Sequence, residues 1–245
     1  GLYQVSDFDY DATTNTYTLK DGVPYHGDKK QIQPGYWKFK NVDGSEDNLI
    51  TENDKTVIGN AFPDFYGGIN NTFTWKDFDL SIFLTYSYGA EVLNATKLTN
   101  TKTALTNKNV LAIANEANRW VTVNSNGELI KNPEELAAVN RGKSVAVFGD
   151  NGSNNTYIHS WAVEDASYLK LSNITIGYSF PKRMINKLGL SKLRIYATGN
   201  NLLTWTPYTG FDPEVSTMSD ALTPGVDFGA YPRSRSFVFG VNVAF

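Results

Sequence analysis

Ile69-Asn70-Asn71-Thr72-Phe73-Thr74-Trp75-Lys76-Asp77-Phe78-Asp79-Leu80-Ser81-Ile82-Phe83-Leu84-Thr85-Tyr86-Ser87-Tyr88 is the stretch whose reading decides the fold. Ile69, Asn71, Phe73 and Trp75 fall on one face of an extended chain, and Asn70, Thr72 and Thr74 on the other. Lys76-Asp77 has the length of a two-residue hairpin turn. Beyond it Leu80, Ile82, Leu84, Tyr86 and Tyr88 alternate with Ser81, Phe83, Thr85 and Ser87. Successive strand residues point to opposite faces, so this pattern predicts an antiparallel pair with one apolar face. The alternation returns three times. Ile174, Ile176, Tyr178 and Phe180 oppose Thr175, Gly177 and Ser179. Leu193, Ile195 and Ala197 oppose Arg194, Tyr196 and Thr198. Phe237, Phe239, Val241, Val243 and Phe245 oppose Val238, Gly240, Asn242 and Ala244. Leu169 and Leu171 are out of phase with Ile174 and Ile176; a bulge near Ser172-Asn173, or a change of environment along the strand, would explain this.

The connections alternate in length. The turn at Lys76-Asp77 is short, and the link from 88 to 168 is long. Residues 181–192 are short again: Pro181 and Gly189 bracket a brief helix. The segment 205–236 is long. Short turns at one end and long loops at the other are the asymmetry of an outer-membrane barrel, whereas a soluble sandwich has no reason for it. With the chain's last strand taken to end in the periplasm, Phe245, Tyr178, Phe180, Phe73, Trp75 and Phe78 gather at one level. Tyr86 and Tyr88 stand at the other, as interfacial girdles require. Five strands are clear, and two more are expected near 36–40 and 17–20. A spanning barrel needs at least ~8, since an open edge in lipid leaves backbone groups unsatisfied. The chain is therefore expected to be part of a larger barrel or to pair through its edges.

Composition removes several function classes. The 245 residues carry 22 Lys plus Arg against 25 Asp plus Glu, a net charge of −3, with no broad basic field for nucleic acid. There is no Cys, hence no disulfide, thiolate metal site or cysteine nucleophile, and the two His, His26 and His159, lie far apart. The longest apolar run, 110–114, is far short of a membrane helix. The chain opens at Gly1 without a charged or apolar leader, which reads as a processed or partial sequence. Within the long link, residues 107–120 predict a short helix. Asn132-Pro133-Glu134-Glu135 predicts another, to about Val139, from its cap, first-position Pro and acidic first turn.

Several motifs then carry a family resemblance. Pro34-Gly35-Tyr36-Trp37-Lys38-Phe39-Lys40-Asn41-Val42-Asp43-Gly44 is followed by Asp54-Lys55-Thr56-Val57-Ile58-Gly59-Asn60 and Phe65-Tyr66-Gly67-Gly68-Ile69-Asn70-Asn71-Thr72-Phe73. Residues 163–178, Gly199-Asn200-Asn201-Leu202-Leu203-Thr204-Trp205 and Gly210-Phe211-Asp212-Pro213-Glu214-Val215 complete the set. In order and spacing the chain resembles the SusC/RagA-type TonB-dependent transporters over nearly its whole length. The resemblance implies an all-β antiparallel transmembrane β-barrel of ~22 strands, with residues 1–245 as its C-terminal portion and the plug domain outside it. It implies residence in the outer membrane of a Bacteroidetes-like Gram-negative cell. It further implies import of oligosaccharides or peptides with TonB-derived energy beneath a SusD-like surface lipoprotein. The TonB complex would act through parts absent from these residues. The alternative from another class is a soluble calcium-dependent carbohydrate-binding β-sandwich. An enzyme is not expected, since no nucleophile–base set is evident.

One acidic stretch has calcium-loop spacing. Asp43, Ser45, Asp47, the Leu49 carbonyl, Thr51 and Asp54 would supply the oxygens, with Asn48 at the sharp turn and Ile50 as anchor. The same residues also fit an acidic turn held by Asx hydrogen bonds. Asp212 and Glu214 could pair as carboxylates or brace a rigid turn, and Arg233 and Arg235 are expected to pair with acids. Trp120, Trp161, Trp205, Tyr208 and Tyr231 fall in loops, where packing competes with sugar stacking.

Overall fold

The computed structural model describes residues 1–101, 109–147, 157–217 and 223–245. They form two compact units, one of residues 59–94 and 163–245, the other of 1–58 and 95–162.

The alternating segments build the first unit. Strands β3 (Phe65–Trp75), β4 (Phe78–Tyr88), β7 (Tyr168–Ser179), β8 (Lys192–Trp205) and β10 (Ser236–Ala244) make one antiparallel sheet in the order β10-β8-β7-β4-β3. Here β1 (Phe8–Asp11) and β2 (Thr16–Leu19) belong to the other unit, and β5 (Glu91–Asn94), β6 (Val163–Asp165) and β9 (Val226–Asp227) form a small separate sheet. The register sorts the side chains. Residues directly opposite in an antiparallel pair share a face. One row runs Phe73–Leu80–Ile176–Ala197–Phe239, the next Trp75–Phe78–Tyr178–Ile195–Val241. That face is apolar from edge to edge. It is also open: Phe239 is 80% exposed and Trp75 67%.

Both turns leave at one end. Lys76 takes φ +53 between Trp75 and Phe78, and Gly189 takes +71 where the helix of Lys182–Ile185 and the 3-10 turn after it end. Pro181 caps that helix, one place before the expected position. The bulge falls where the phase break put it. The same level is crossed from Phe83 to Leu84 in β4, from Asn173 to Leu171 in β7 and from Asn200 to Leu203 in β8. Asn201, at φ +51, takes up part of the extra length in β8, a conformation Asn tolerates better than most residues.

The other unit is held by buried clusters rather than a sheet. Leu2, Trp37, Trp120 and Ala146 form one; Tyr3, Phe8, Leu19 and Ile32 form the other, beneath the β1–β2 hairpin. Gly35 sits at φ +87 against the Trp120 indole, where a Cβ would collide with the ring. The strand expected at 36–40 does not form. Trp37 makes a single bridge to Leu2, and Gly35 turns the chain just before it. Helix α1 (Ala95–Asn100) and helix α2 (Pro133–Val139) lie in this unit, α2 with Asn132 Oδ1 accepting from the Glu134 and Glu135 amides. Of the helix expected over 107–120, the described part holds only a 3-10 turn at Ala112–Ala114; Asn107 and Lys108 lie outside the described residues. Two local competitors account for this: Asn115 Oδ1 accepts from the Asn118 amide, and the Arg119 side chain takes the Ala114 carbonyl. Among the described residues, no helix is long and apolar enough to cross a membrane.

Candidate functional site

The second face of the five-stranded sheet carries the chemistry. Its rows are largely polar and cross-bonded, with Phe83 and Val238 among them. Asn173 Nδ2 donates to Asn200 Oδ1 at 2.7 Å, and Asn200 Nδ2 to Ser236 Oγ at 3.1 Å. The Thr175 and Thr198 hydroxyls meet at 2.8 Å, and Ser81 donates to Asn70 at 3.2 Å. Asp79 and Arg194, two strands apart, form a paired fork at 3.0 and 2.6 Å. Gly177 stands between them; a Cβ there would fall on both partners. The glycine thus leaves room for the ion pair to span β7.

Both ends of the sheet are banded with aromatic rings. Trp75, Phe78, Tyr178 and Phe180 form a chain with centroids 6.4, 4.7 and 5.0 Å apart. At the far end Phe65 stacks on Tyr88 at 5.1 Å, with Tyr86 at 6.2 Å and Trp205 closing β8. An open depression of about 400 Å³ lies among Phe65, Tyr88, Trp205 and Pro207 at this end. Strand β4 has 11 residues, which at ~3.4 Å each and ~45° of tilt spans about 24 Å.

Residues 206–217 and 223–235 are anchored beside this face. Asp212 Oδ1 accepts from the Glu214 amide at 3.0 Å, so the Asp-Pro-Glu run is a braced turn. Glu214 accepts from the Tyr168 hydroxyl at 2.8 Å and from the Lys170 ammonium. Arg233 lies 3.7 Å from Asp212 and 3.6 Å from Glu214. Burial works against the Glu214 carboxylate, yet the donors Lys170 and Tyr168 hold it below the usual range. The Tyr208 hydroxyl donates to Asp227 at 2.6 Å, and burial with that carboxylate pushes its ionisation upward. Trp120 and Tyr208 are packed and Trp161 lies half-buried against Trp37, whereas Trp205 and Tyr231 are exposed.

In the acidic loop of the other unit the candidate oxygens accept from backbone amides. Asp43 Oδ1 accepts from the Ser45 amide at 2.9 Å, and Asp47 Oδ1 from the Leu49 amide at 3.1 Å. Thr51 Oγ1 accepts from the Asn53 amide, and Asp54 takes the amides of Thr51, Val42 and Asp43. Those backbone donors hold Asp54 below the ordinary carboxylate range. Among the described residues no three Asp, Glu or His side chains converge as a metal site. Asp43 and Asp47 each brace the chain two residues on through one carboxylate oxygen, as in Asx turns.

No protein-family model matches the chain. TonB-dependent receptor P3 of Formosa agariphila is 33% identical over 217 residues, covering 86% of this chain and 19% of that receptor. A second Formosa agariphila TonB-dependent receptor is 31% identical, covering all of this chain and 23% of its own length. The SusC receptor of Bacteroides thetaiotaomicron is 27% identical over 83% of this chain and 17% of its own length. The chain thus spans about a fifth of the curated relatives it matches. Among solved structures, the RagAB peptide importer in its open-open state superposes with a TM-score of 0.63 at 23% identity, over 84% of this chain and 20% of that one. Its closed-closed state gives 0.60. Motifs, strand order and these relatives together make the chain a member of the SusC-type TonB-dependent receptors.

Proposed function

We propose that the five-stranded sheet is a stretch of wall, from the C-terminal part, of a large outer-membrane barrel that imports nutrients with TonB-derived energy. The single observation that carries this reading is the sheet's two-sidedness. One face is apolar, exposed and banded by aromatics at both ends, as a lipid-facing surface must be. The other is a ladder of hydroxyls, amides and one ion pair, as a water-filled lumen requires. A soluble sandwich would bury the apolar face under a second sheet, and its residues stay open here. The outer edges of β3 and β10 have no partner strand among the described residues. In lipid such edges must be paired, so neighbouring strands of the same barrel complete them.

The cargo we infer is oligosaccharide or peptide, taken up beneath a SusD-like lipoprotein; the likeness to SusC and to a peptide importer supports this. The test uses the full-length receptor with single cysteines. At Val241 a lipophilic thiol reagent should react and a hydrophilic one should not, and at Asn242 the preference should reverse. Equal hydrophilic labelling at both positions would reject the wall.

A further inference from the structure

The segment after β8 does not stand clear of the sheet. Tyr168 and Lys170 lie opposite Ser87 and Thr85, on the polar face. Both donate to Glu214. Lys170 is 3% exposed, and a buried ammonium needs a carboxylate partner; Glu214 is that partner. The Asx turn at Asp212 presents Glu214 rigidly. The returning limb brings Arg233 to the same two acids. Tyr208 to Asp227, and the Thr217 amide to the Val226 carbonyl at 2.8 Å, tie the limbs together.

We propose that residues 206–217, with Arg233, form a strap latched across the polar face by Glu214, and that this strap narrows the aqueous path lined by that face. The proposal rests on the wall reading above. Lys170 and Arg233 balance Asp212 and Glu214, so the strap selects by size rather than charge. Its position follows from register: a loop latched to Tyr168 and Lys170 must pass on the lumen side.

The experiment places a cysteine at Thr198, on the same polar face, in a full-length receptor freed of other thiols. Small and bulky hydrophilic maleimides are applied from outside. Glu214→Gln should raise the bulky reagent's rate about tenfold, the scale of one lost charge-assisted hydrogen bond, and leave the small reagent's rate unchanged. Tyr168→Phe should act in the same direction but less, and carries the test should Glu214→Gln assemble poorly. Unchanged bulky labelling in both variants, with the small reagent reacting normally, overturns the strap alone. A Thr198→Cys thiol that no hydrophilic reagent reaches overturns the wall reading and the strap with it.

Discussion

Two tryptophans mark the contrast between the two units: Trp120 is 1% exposed and Trp75 is 67% exposed. Both units are rich in aromatic rings. In the unit of 1–58 and 95–162 the rings pack on one another, Trp37 on Trp161 at 5.1 Å and Tyr3 on Phe8 at 6.0 Å. In the sheet they line up along one surface. Apolar area stabilises only when it leaves water. The unit of 1–58 and 95–162 achieves this within the chain; the sheet achieves it only against an apolar surrounding. The main aromatic clusters are thus buried in one region, and burial is deferred in the other.

Substitutions can break or sharpen this contrast. The largest effect belongs to the internal core. Trp120→Ala should cost ~3–5 kcal/mol by emptying a closed site, read as loss of hydrogen-exchange protection in the unit of 1–58 and 95–162. Retained protection would mean that the cluster is not its core. Next is the sheet: Val241→Arg should cost ~2–4 kcal/mol in a bilayer while Asn242→Arg costs little, measured by refolding titrations into vesicles. Equal costs would remove the two-sidedness. Tyr208→Phe comes third, at ~1–2 kcal/mol for the lost hydrogen bond to the Asp227 carboxylate, measured as faster exchange between 206 and 217.

The smaller effects sit in the acidic loop. Asp54 has a depressed native value, so its contribution is present above the unfolded value of ~3.9. That contribution fades as pH falls through the lower native value. The melting temperature should therefore drop below about pH 4, and Asp54→Asn should start lower and flatten the drop. Chelator or added calcium should leave the melting temperature unmoved, and a calcium-dependent rise would restore the cation reading of Asp43, Asp47 and Asp54.

The same contrast explains what was legible in the sequence. The sheet was, because strand pairing imposes period two on contiguous residues; Phe73, Trp75 and Leu80 announce their face locally. Even the bulge was, since Leu171 and Ile174 cannot share a face without one. The core around Trp120 was not. Leu2, Trp37, Trp120 and Ala146 are brought together from distant parts of the chain with no common period. Acidic spacing suggested a cation at Asp43–Asp54, but the same oxygens serve backbone amides, and spacing alone does not separate these. The latch at Glu214 had only a faint signal, an Asp-Pro-Glu turn; that its partners would be Tyr168 and Lys170 depends on register.

The pairing of β5 with β6 has a consequence for how this chain can fold and vary. Roughly eighty residues separate β4 from β7, and closing so long a loop costs about 2 kcal/mol more entropy than a ten-residue one. Glu91 opposite Asp165, Val92 opposite Glu164 and the Ala166 amide on the Ala90 carbonyl at 2.8 Å zip the base of that connection. The long-range pair then behaves as a hairpin with a guest domain inserted at its tip. Residues 1–58 share their core with the insert, the two forming one compact unit. Lengthening the insert would cost only about 0.6 kcal/mol per doubling. Exchange of the guest would therefore have to keep its core with residues 1–58, through Trp120 and Ala146, while the host hairpin keeps its register.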